Sequence, residues 1–307
     1  MNLLYHFSFR AMGCTVEAQL QTAEDGAAQM ATLPAQFEKL EAQLSRFRPE
    51  SDLMQLNARA GQWTVVSAAL YENIALAKHG ARLTNGLYNP LVLPALIASG
   101  YNRSFETLDA VQPGTAGVVG DWQAIQLRRR TSEVCLPEGN ALDLGGIAKG
   151  WAAAQIADQL AQYGACLMSV GGDIAARNAP IGEAGWRISI ADPDSTLPLC
   201  ELTLCDSAVV TSGIDYRRWQ TVDGQPRHHI IDPRTGLSAE TDVRTVSIVH
   251  PHAPTAEAFA KAVLLLGSRS GLEWLNQQWD ASGLVVRSDG AVLTTSNWLV
   301  NMERNFV

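Results

Sequence analysis

The sequence predicts an α+β fold in which mixed, largely antiparallel sheets are flanked by helices. Strand-like segments follow one another along the chain more often than they alternate with helices, whereas strict alternation would favour a doubly wound fold. The chain has 307 residues, of which 47% are hydrophobic and 18% charged, so it can bury a substantial core. No fixed-period repeat or evident linker interrupts it. We therefore expect one unit over residues 1–307, built as a single body or as two intimately packed α/β subdomains.

The N-terminal part of the chain predicts one strand followed by helices. Residues 15–20 alternate between apolar and polar side chains, as a half-buried strand does. Residues 29–47 carry apolar side chains at helical spacing, with Phe37, Leu40 and Leu44 on one face. Two further helices, each beginning at a serine and ending at a glycine, are predicted at 51–61 and 67–86.

The middle of the chain predicts a loop and a small hairpin. Residues 86–101 are apolar but contain Pro90 and Pro94, which favour a loop over a regular element. Residues 122–129 and 133–137 have the composition of two short strands. Because only a short polar run separates them, we expect these two strands to pair as a hairpin.

The second half of the chain predicts mainly strands. A glycine-containing loop leads into a helix within residues 141–164, and Gly164 ends it. A buried strand at 165–178 is broken by two consecutive glycines, Gly171 and Gly172. Further strands are predicted at 186–193, 201–213, 227–233 and 243–251, a helix at 253–267, and a hairpin at 283–297 around Asp289-Gly290.

Composition excludes several classes of function. The net charge of -8 argues against general nucleic-acid binding, which needs a basic surface. The five cysteines are scattered and form no CxxC pair, so neither a zinc site nor a disulfide framework is expected. No run of about 18 apolar residues predicts a membrane span. The first residues do not resemble a signal peptide, so we expect a cytoplasmic protein, or a periplasmic one only if a leader is missing from this sequence.

The segment "RHHIIDPRTG" at 227–236 places two histidines where a strand meets a turn. Asp232-Pro233 ends the strand because proline has no N–H for a ladder and restricts the residue before it. Side chains at such junctions are often functional because a rigid element holds them. The alternative is a tight turn that carries two surface histidines, His228 and His229.

The segment "LDLGGIAKG" is the best candidate for an anion site. Its glycines allow close approach of a ligand to the backbone, and the helix that follows offers free N–H groups. Lys149 adds a positive charge suited to phosphate. The alternative is a glycine-rich helix start with Lys149 in solvent. Two other glycine-containing strand ends contribute the carboxylate of Asp173 and the hydroxyls of Thr211 and Ser212.

Taken in order, eight segments resemble those of the ApbE-type FAD:protein FMN transferases, over nearly the whole chain. They are "FRAMGCTVEAQL", "LSRFRPESDLMQLN", "GLYNPLVLP", "LDLGGIAKGWA", "SVGGDI", "VVTSGIDYR", "HIIDPRTG" and "TAEAFAKAVLLLG". The resemblance implies an ApbE-like (T-fold-like) architecture. It also implies transfer of FMN from FAD to a Thr or Ser hydroxyl of an acceptor protein, with release of AMP and use of Mg²⁺.

The resemblance also implies roles for individual residues. His229 corresponds to the general base, and a pKa near that of free imidazole suits this task. His228 is then only its solvent-side neighbour. Gly146, through its carbonyl, and Glu257 correspond to metal ligands. The positions implied to bind FAD are Met12, Phe47, Tyr88, Asn89, Pro90, Asp143, Lys149, Thr211, Ser212, Ile231 and Lys261.

Three departures from the family pattern affect these roles. Asn89 stands where the family usually has an aspartate. Glu257 and Lys261 stand where the family has an aspartate and a threonine that hold the metal, and a charged ammonium cannot be a metal ligand. We therefore expect Lys261 to replace the magnesium in part. The alternatives are an ordinary exposed Glu–Lys pair, a protein that binds FAD with lost or weakened transfer, and hydrolysis of FAD to FMN and AMP.

Overall fold

The computed structural model describes residues 2–108 and 116–298, and contacts group the chain into two compact units. The first comprises Met1–Phe37, Lys149–Gly213 and Asp242–Val307, and the second Glu38–Ala148 and Ile214–Thr241. The α+β class with antiparallel sheets is confirmed. Among the described residues, every helix is too short or too polar to cross a bilayer.

The first unit is built on an antiparallel sheet of eight strands. With strands numbered in chain order, the order across the sheet is β1 (Leu3–Ala11), β2 (Cys14–Thr22), β6 (Ala165–Val170), β7 (Asp173–Arg177), β10 (Ser207–Gly213), β15 (Val243–His250), β16 (Ser282–Arg287) and β17 (Val292–Thr294). The central strands are buried on both faces, because other elements cover the sheet on each side.

Helices cover one face of this sheet and a two-stranded ribbon covers the other. The ribbon pairs β8 (Trp186–Ala191) with β9 (Pro198–Leu204), and its apolar side chains pack on Val209 and Val249 of the sheet. Because strand residues alternate between faces, their neighbours Val210 and Ile248 point to the helices. The helices of the unit are α1 (Gly26–Ala31), α6 (Ala148–Leu160), α7 (Ala253–Leu266) and α8 (Ser268–Leu275).

The second unit contains helices and short strands. The helices are α2 (Leu33–Leu44), whose residues up to Phe37 belong to the first unit, α3 (Asp52–Asn57), α4 (Ala68–Leu83) and α5 (Leu93–Ala98), with 3₁₀ turns at Phe105–Thr107 and Trp122–Ala124. The strands are β3 (Thr64–Val65), β4 (Gln126–Arg128), β5 (Glu133–Cys135), β11 (Arg218–Gln220), β12 (Pro226–His228), β13 (Ile231–Asp232) and β14 (Leu237–Ser238). They pair as β3-β5-β4, β11-β12 and β13-β14.

Local signals in the sequence predicted several boundaries correctly. Ser51 and Ser67 are the N-caps of α3 and α4, where their hydroxyls accept the N–H of Met54 at 3.1 Å and of Leu70 at 3.4 Å. Each hydroxyl satisfies a backbone donor that the first helical turn leaves unpaired. The strand predicted at 15–20 is confirmed as β2. The hairpin predicted at 122–137 is confirmed as β4 and β5, but Trp122–Ala124 of its first predicted strand form a 3₁₀ turn.

Other boundaries were wrong for identifiable reasons. The loop predicted at 86–101 contains α5, because Pro94 lies in the first helical turn, where no backbone donor is needed. The strand predicted at 201–213 is two strands, β9 and β10, which turn at Asp206 with φ 45°. The helix predicted at 29–47 is interrupted at Thr32, just before the proline of α2.

The remaining differences concern strand pairing and helix length. The strand predicted at 165–178 is the hairpin of β6 and β7, because Gly171 and Gly172 turn the chain with φ of 63° and 92°. The strand predicted at 227–233 is divided between β12 and β13. Helix α6 ends at Leu160, before Gly164. Strand β1, which pairs along its whole length with β2, was not predicted.

Candidate functional site

One end of the large sheet gathers several residues that the sequence singled out. Met12 lies in the turn between β1 and β2 with φ 52°. The Gly171 N–H donates to the carbonyl of Thr15 at 2.9 Å, which places the β6–β7 turn beside the start of β2. Strand β10 runs antiparallel to β7, so Thr211 and Ser212 lie toward the same end. The Thr211 hydroxyl hydrogen-bonds that of Ser247 at 2.7 Å, and Ser212 is buried.

Four charged side chains form one cluster at this end of the sheet. Lys149, in the first turn of α6, forms an ion pair with Asp173, the first residue of β7. Lys261 forms an ion pair with Glu257 one turn earlier in α7. Both carboxylate side chains are 1% exposed, whereas those of Lys149 and Lys261 are 20% and 13% exposed. The Glu257–Lys261 pair is therefore a buried pair and not an ordinary exposed one.

The Glu257 carboxylate also satisfies the N-terminus of a neighbouring helix. Its Oε1 accepts the backbone N–H of Gly150 in α6 at 3.2 Å. A β-carbon at position 150 would lie 3.0 Å from Cγ of Glu257, so a larger residue there would push the Glu257 side chain away by a few tenths of an ångström. The sequence predicted that the free N–H groups of this helix start bind the anion of a ligand. In the structure, the Gly150 N–H is already bonded to the carboxylate of Glu257.

Burial and charge act differently on the two carboxylates. Burial and the repulsion of Glu257 raise the pKa of Asp173 to about 6, in spite of the attraction of Lys149. Burial also acts to raise the pKa of Glu257, but the ammonium groups of Lys261 and Lys149 outweigh it and lower that pKa below its ordinary value. Glu257 is thus the more firmly ionised member of the cluster.

The raised pKa of Asp173 gives a testable pH dependence of stability. Between its ordinary pKa and about 6, the folded protein holds a proton that the unfolded chain does not. Lowering the pH from 7 to 5 should therefore raise the unfolding free energy of the wild type relative to Asp173→Asn, by on the order of 1 kcal/mol. Urea denaturation of both proteins at pH 7, 6 and 5 measures this difference, and a constant difference would contradict the assignment.

A second cluster, in the second unit, is centred on Arg46. Its Nε lies 2.7 Å from Oδ2 of Asp143, and the two side chains are 7% and 11% exposed. The guanidinium carbon lies 4.1 Å from the ring centroid of Phe47 and 4.3 Å from that of Tyr101, close enough for cation–π interactions. Tyr101 in turn packs on Trp219, and both belong to an apolar cluster that includes Ile231.

This Arg46 cluster brings together three residues that the sequence predicted, Phe47, Asp143 and Ile231. Asp143 has internal partners on both oxygens, because Oδ1 accepts the Gly145 N–H at 2.8 Å. It therefore holds the loop that leads to α6. Phe47 is 42% exposed, so part of its ring faces solvent beside the buried guanidinium.

The predicted loop residues Tyr88, Asn89 and Pro90 make internal contacts that fix the conformation of the loop. The Asn89 amide donates to the Gly120 carbonyl at 3.0 Å, and its oxygen accepts the Leu91 N–H at 2.9 Å. An ionised aspartate has no donor for that carbonyl, so the amide at this position has a structural reason. Tyr88 is buried, and the Pro90 carbonyl accepts the Asp143 N–H at 2.9 Å.

The two adjacent histidines have different surroundings. His228 is not solvent-side as expected: its Nε2 contacts the Ala239 carbonyl at 2.9 Å, and its Nδ1 accepts the Ile230 N–H at 3.3 Å. These bonds fix a neutral ring protonated at Nε2, and burial lowers the pKa of His228. His229 follows the end of β12, and its Nδ1 lies 3.4 Å from the Arg217 carbonyl. Because a carbonyl only accepts, Nδ1 of His229 carries the proton and Nε2 is the basic nitrogen.

The structure therefore divides the predicted residues into groups by unit. Lys149, Glu257 and Lys261 meet in the charge cluster, with Met12, Thr211 and Ser212 at the same end of the sheet. The other predicted residues lie in the second unit, including Gly146 in the turn before α6. Sequence reasoning missed Arg46, Tyr101 and Trp219, whose contacts join segments distant in sequence.

Comparison with known proteins finds a matching family and several similar relatives. The model of the ApbE family matches residues 12–285. The chain belongs to the ApbE family. A relative from Treponema pallidum, named FAD:protein FMN transferase, is 34% identical over 278 residues, which cover 83% of this chain and 76% of the relative. A second relative of that name, from Klebsiella pneumoniae, is 28% identical and covers 96% of this chain and 93% of its own length.

Solved structures share the fold of this ApbE-family chain. The ApbE protein of Thermotoga maritima superimposes with a TM-score of 0.87 at 24% identity, over 98% of this chain and 100% of the other. The flavinyl transferase ApbE of Pseudomonas stutzeri, in its apo form, gives a TM-score of 0.83 at 21% identity, over 98% and 97% of the two chains. The ApbE-like architecture expected from the sequence is thereby confirmed.

Proposed function

We propose that this chain is an FAD:protein FMN transferase, which moves FMN from FAD to a Thr or Ser hydroxyl of an acceptor protein and releases AMP. The observation that carries the proposal is the 34% identity, over 83% of this chain, to a protein of that name. The residues of each unit suit this chemistry: the second unit holds a base at a strand end, and the first holds two lysines suited to phosphate oxygens.

The reaction exchanges the phosphoanhydride bond of FAD for a phosphoester bond to the acceptor protein. The acceptor hydroxyl oxygen attacks the phosphorus on the FMN side of the FAD diphosphate, and the bond from that phosphorus to the bridging oxygen breaks. AMP leaves with the bridging oxygen, and the hydroxyl proton passes to Nε2 of His229. The Arg217 carbonyl holds the proton on Nδ1 and so keeps Nε2 basic. In this proposal Lys149 and Lys261 stabilise the negative charge of the diphosphate, as fixed cations do in phosphoryl transfer.

Magnesium, which the family resemblance implies, does not fit the residues of the charge cluster. Both oxygens of Glu257 already have donors, from Gly150 and from Lys261. No group of three or more His, Cys, Asp and Glu side chains in the described part of the chain is arranged to hold a metal ion. We therefore assign no step to a metal.

Replacing Lys149 by Ala should weaken FAD binding by about 1.5–3 kcal/mol, the usual contribution of a hydrogen bond to a charged group. The change also leaves Asp173 buried without its partner, so the double variant Lys149→Ala/Asp173→Asn separates binding from folding. Titration of FAD by fluorescence gives the affinity, and Lys39→Ala, on an exposed face of α2, is the matched control. Wild-type affinity in the double variant would remove Lys149 from the site.

An assay of the reaction products distinguishes FMN transfer from two other activities. Hydrolysis of FAD to FMN and AMP needs only water in place of the acceptor hydroxyl, and binding without transfer would follow if the buried Glu257–Lys261 pair supports catalysis poorly. Mass spectrometry of FAD incubated with the protein and a threonine-containing acceptor peptide distinguishes them. A peptide that gains FMN supports the transferase, free FMN indicates hydrolysis, and unchanged FAD indicates binding alone.

A further inference from the structure

We infer that this chain binds the FAD diphosphate without a divalent metal ion, because the ammonium group of Lys261, held on Glu257, takes the place of the cation. The inference rests on the proposed function, and it concerns the charge cluster of Lys149, Asp173, Glu257 and Lys261. It goes beyond that function because it replaces a cofactor by a side chain of the protein.

The first argument is the number of available oxygen ligands. Magnesium requires near-octahedral coordination by oxygen. Oε1 of Glu257 accepts the Gly150 N–H at 3.2 Å, and Oε2 is paired with Lys261. Oδ2 of Asp173 is paired with Lys149, which leaves Oδ1 of Asp173 as the carboxylate oxygen of the cluster that has no hydrogen-bond partner among the described residues. Magnesium at a phosphate site usually relies on one or two carboxylates beside phosphate oxygens and waters. Here a metal ion would have to compete for its carboxylate ligands with a backbone N–H and two ammonium groups.

The second argument is charge. Two carboxylates and two ammonium groups already neutralise one another inside the cluster. A dication could reach Glu257 only by displacing Lys261, whose side chain is 13% exposed and would then lie beside a like charge. Repulsion between close charges is strong where water is largely excluded. The cluster is therefore complete without a metal ion.

The third argument is which charged groups of the cluster are exposed to solvent. The carboxylate side chains are 1% exposed, whereas both lysines are partly exposed, so the accessible side of the cluster is cationic. An ammonium group has three N–H donors, and Glu257 takes one from Lys261. Lys261 can thus donate to a phosphate oxygen while it keeps its carboxylate. A diphosphate is the ligand class that suits two neighbouring cations of this kind.

The test is FAD binding by the purified full-length chain, measured by isothermal titration calorimetry in EDTA and again with Mg²⁺ in excess. We expect the two affinities to agree within about twofold, since no metal contributes to binding. In Lys261→Met/Glu257→Gln, which removes both charges and avoids a buried unpaired carboxylate, affinity in EDTA should fall at least about tenfold. Lys261→Arg keeps the charge and should retain binding, and Lys39→Met is the control for removal of an exposed lysine. Circular dichroism melting verifies that each variant is folded.

The outcomes separate this inference from the proposed function. FAD binding that appears only with Mg²⁺ overturns the inference and leaves the transferase intact. Affinity equal to that of the wild type in folded Lys261→Met/Glu257→Gln also overturns it. Absence of FAD binding in both buffers overturns the proposed function itself. Lys261→Thr, which supplies a hydroxyl oxygen in place of the ammonium, should bind FAD more tightly with Mg²⁺ than in EDTA, and this gain supports the inference.

Discussion

Replacing His229 by Ala should reduce FMN transfer by roughly 10²–10⁴-fold, the usual contribution of a general base. The reason is that Nε2 of His229 is the nitrogen that can accept a proton, since the Arg217 carbonyl holds the proton on Nδ1. FAD binding should change little, because the base acts on the acceptor hydroxyl. The measurement is the rate at which an acceptor peptide gains the mass of FMN, together with FAD affinity by titration.

The neighbouring histidine and an exposed one are the controls for this result. His6→Ala, on an exposed position of β1, should transfer FMN at the wild-type rate. His228→Ala should lower stability, because its ring joins β12 to Ala239 and to the Ile230 N–H. Loss of transfer in His229→Ala that is matched by loss of FAD binding would show that His229 is a structural residue. Equal rates in His229→Ala and wild type would remove it from catalysis.

The sequence predicted those parts of the fold that depend on local chemistry. Helices α3 and α4 begin at Ser51 and Ser67 because a serine hydroxyl can satisfy a free N–H wherever the helix packs. The break at Gly171 and Gly172 was predicted because consecutive glycines interrupt a strand, but the hairpin of β6 and β7 that forms there was not. The strand order, in contrast, joins β2 to β6, which are far apart in the chain, and no local pattern encodes that pairing.

The sequence predicted those features of the candidate site that follow from the type of a single side chain, and not the contacts between distant segments. Lys149 was selected as a cation, but its pairing with Asp173 depends on how α6 and β7 meet. The Glu257–Lys261 pair was visible from its four-residue spacing in one helix, whereas its burial was not. That Glu257 would accept the Gly150 N–H could not be predicted, since this contact needs two helices to approach closely. Arg46 was missed for the same reason: its ion pair with Asp143 joins two distant loops. The role of His228 was wrong because its partners come from the next strand pair.

The second large effect concerns stability. Arg46→Met should lower the unfolding free energy by about 3 kcal/mol, because loss of one partner leaves the other charge of a buried ion pair without compensation. Both Arg46 and Asp143 are nearly buried, and the guanidinium also lies against the rings of Phe47 and Tyr101. Urea denaturation measures the change. The double variant Arg46→Met/Asp143→Asn should recover at least about 1 kcal/mol of it, since no charge is then left unpaired.

The matched control for Arg46 is Arg48, which makes ion pairs with Glu38 and Glu41 at the surface. Its side chain is 36% exposed, and such pairs contribute about 0–1 kcal/mol. Arg48→Met should therefore cost much less than Arg46→Met, although both changes remove one arginine from the same segment. Equal costs would mean that the Arg46–Asp143 pair is solvated in solution. A double variant no more stable than Arg46→Met would assign the loss to the aromatic contacts of the guanidinium and not to an unpaired Asp143.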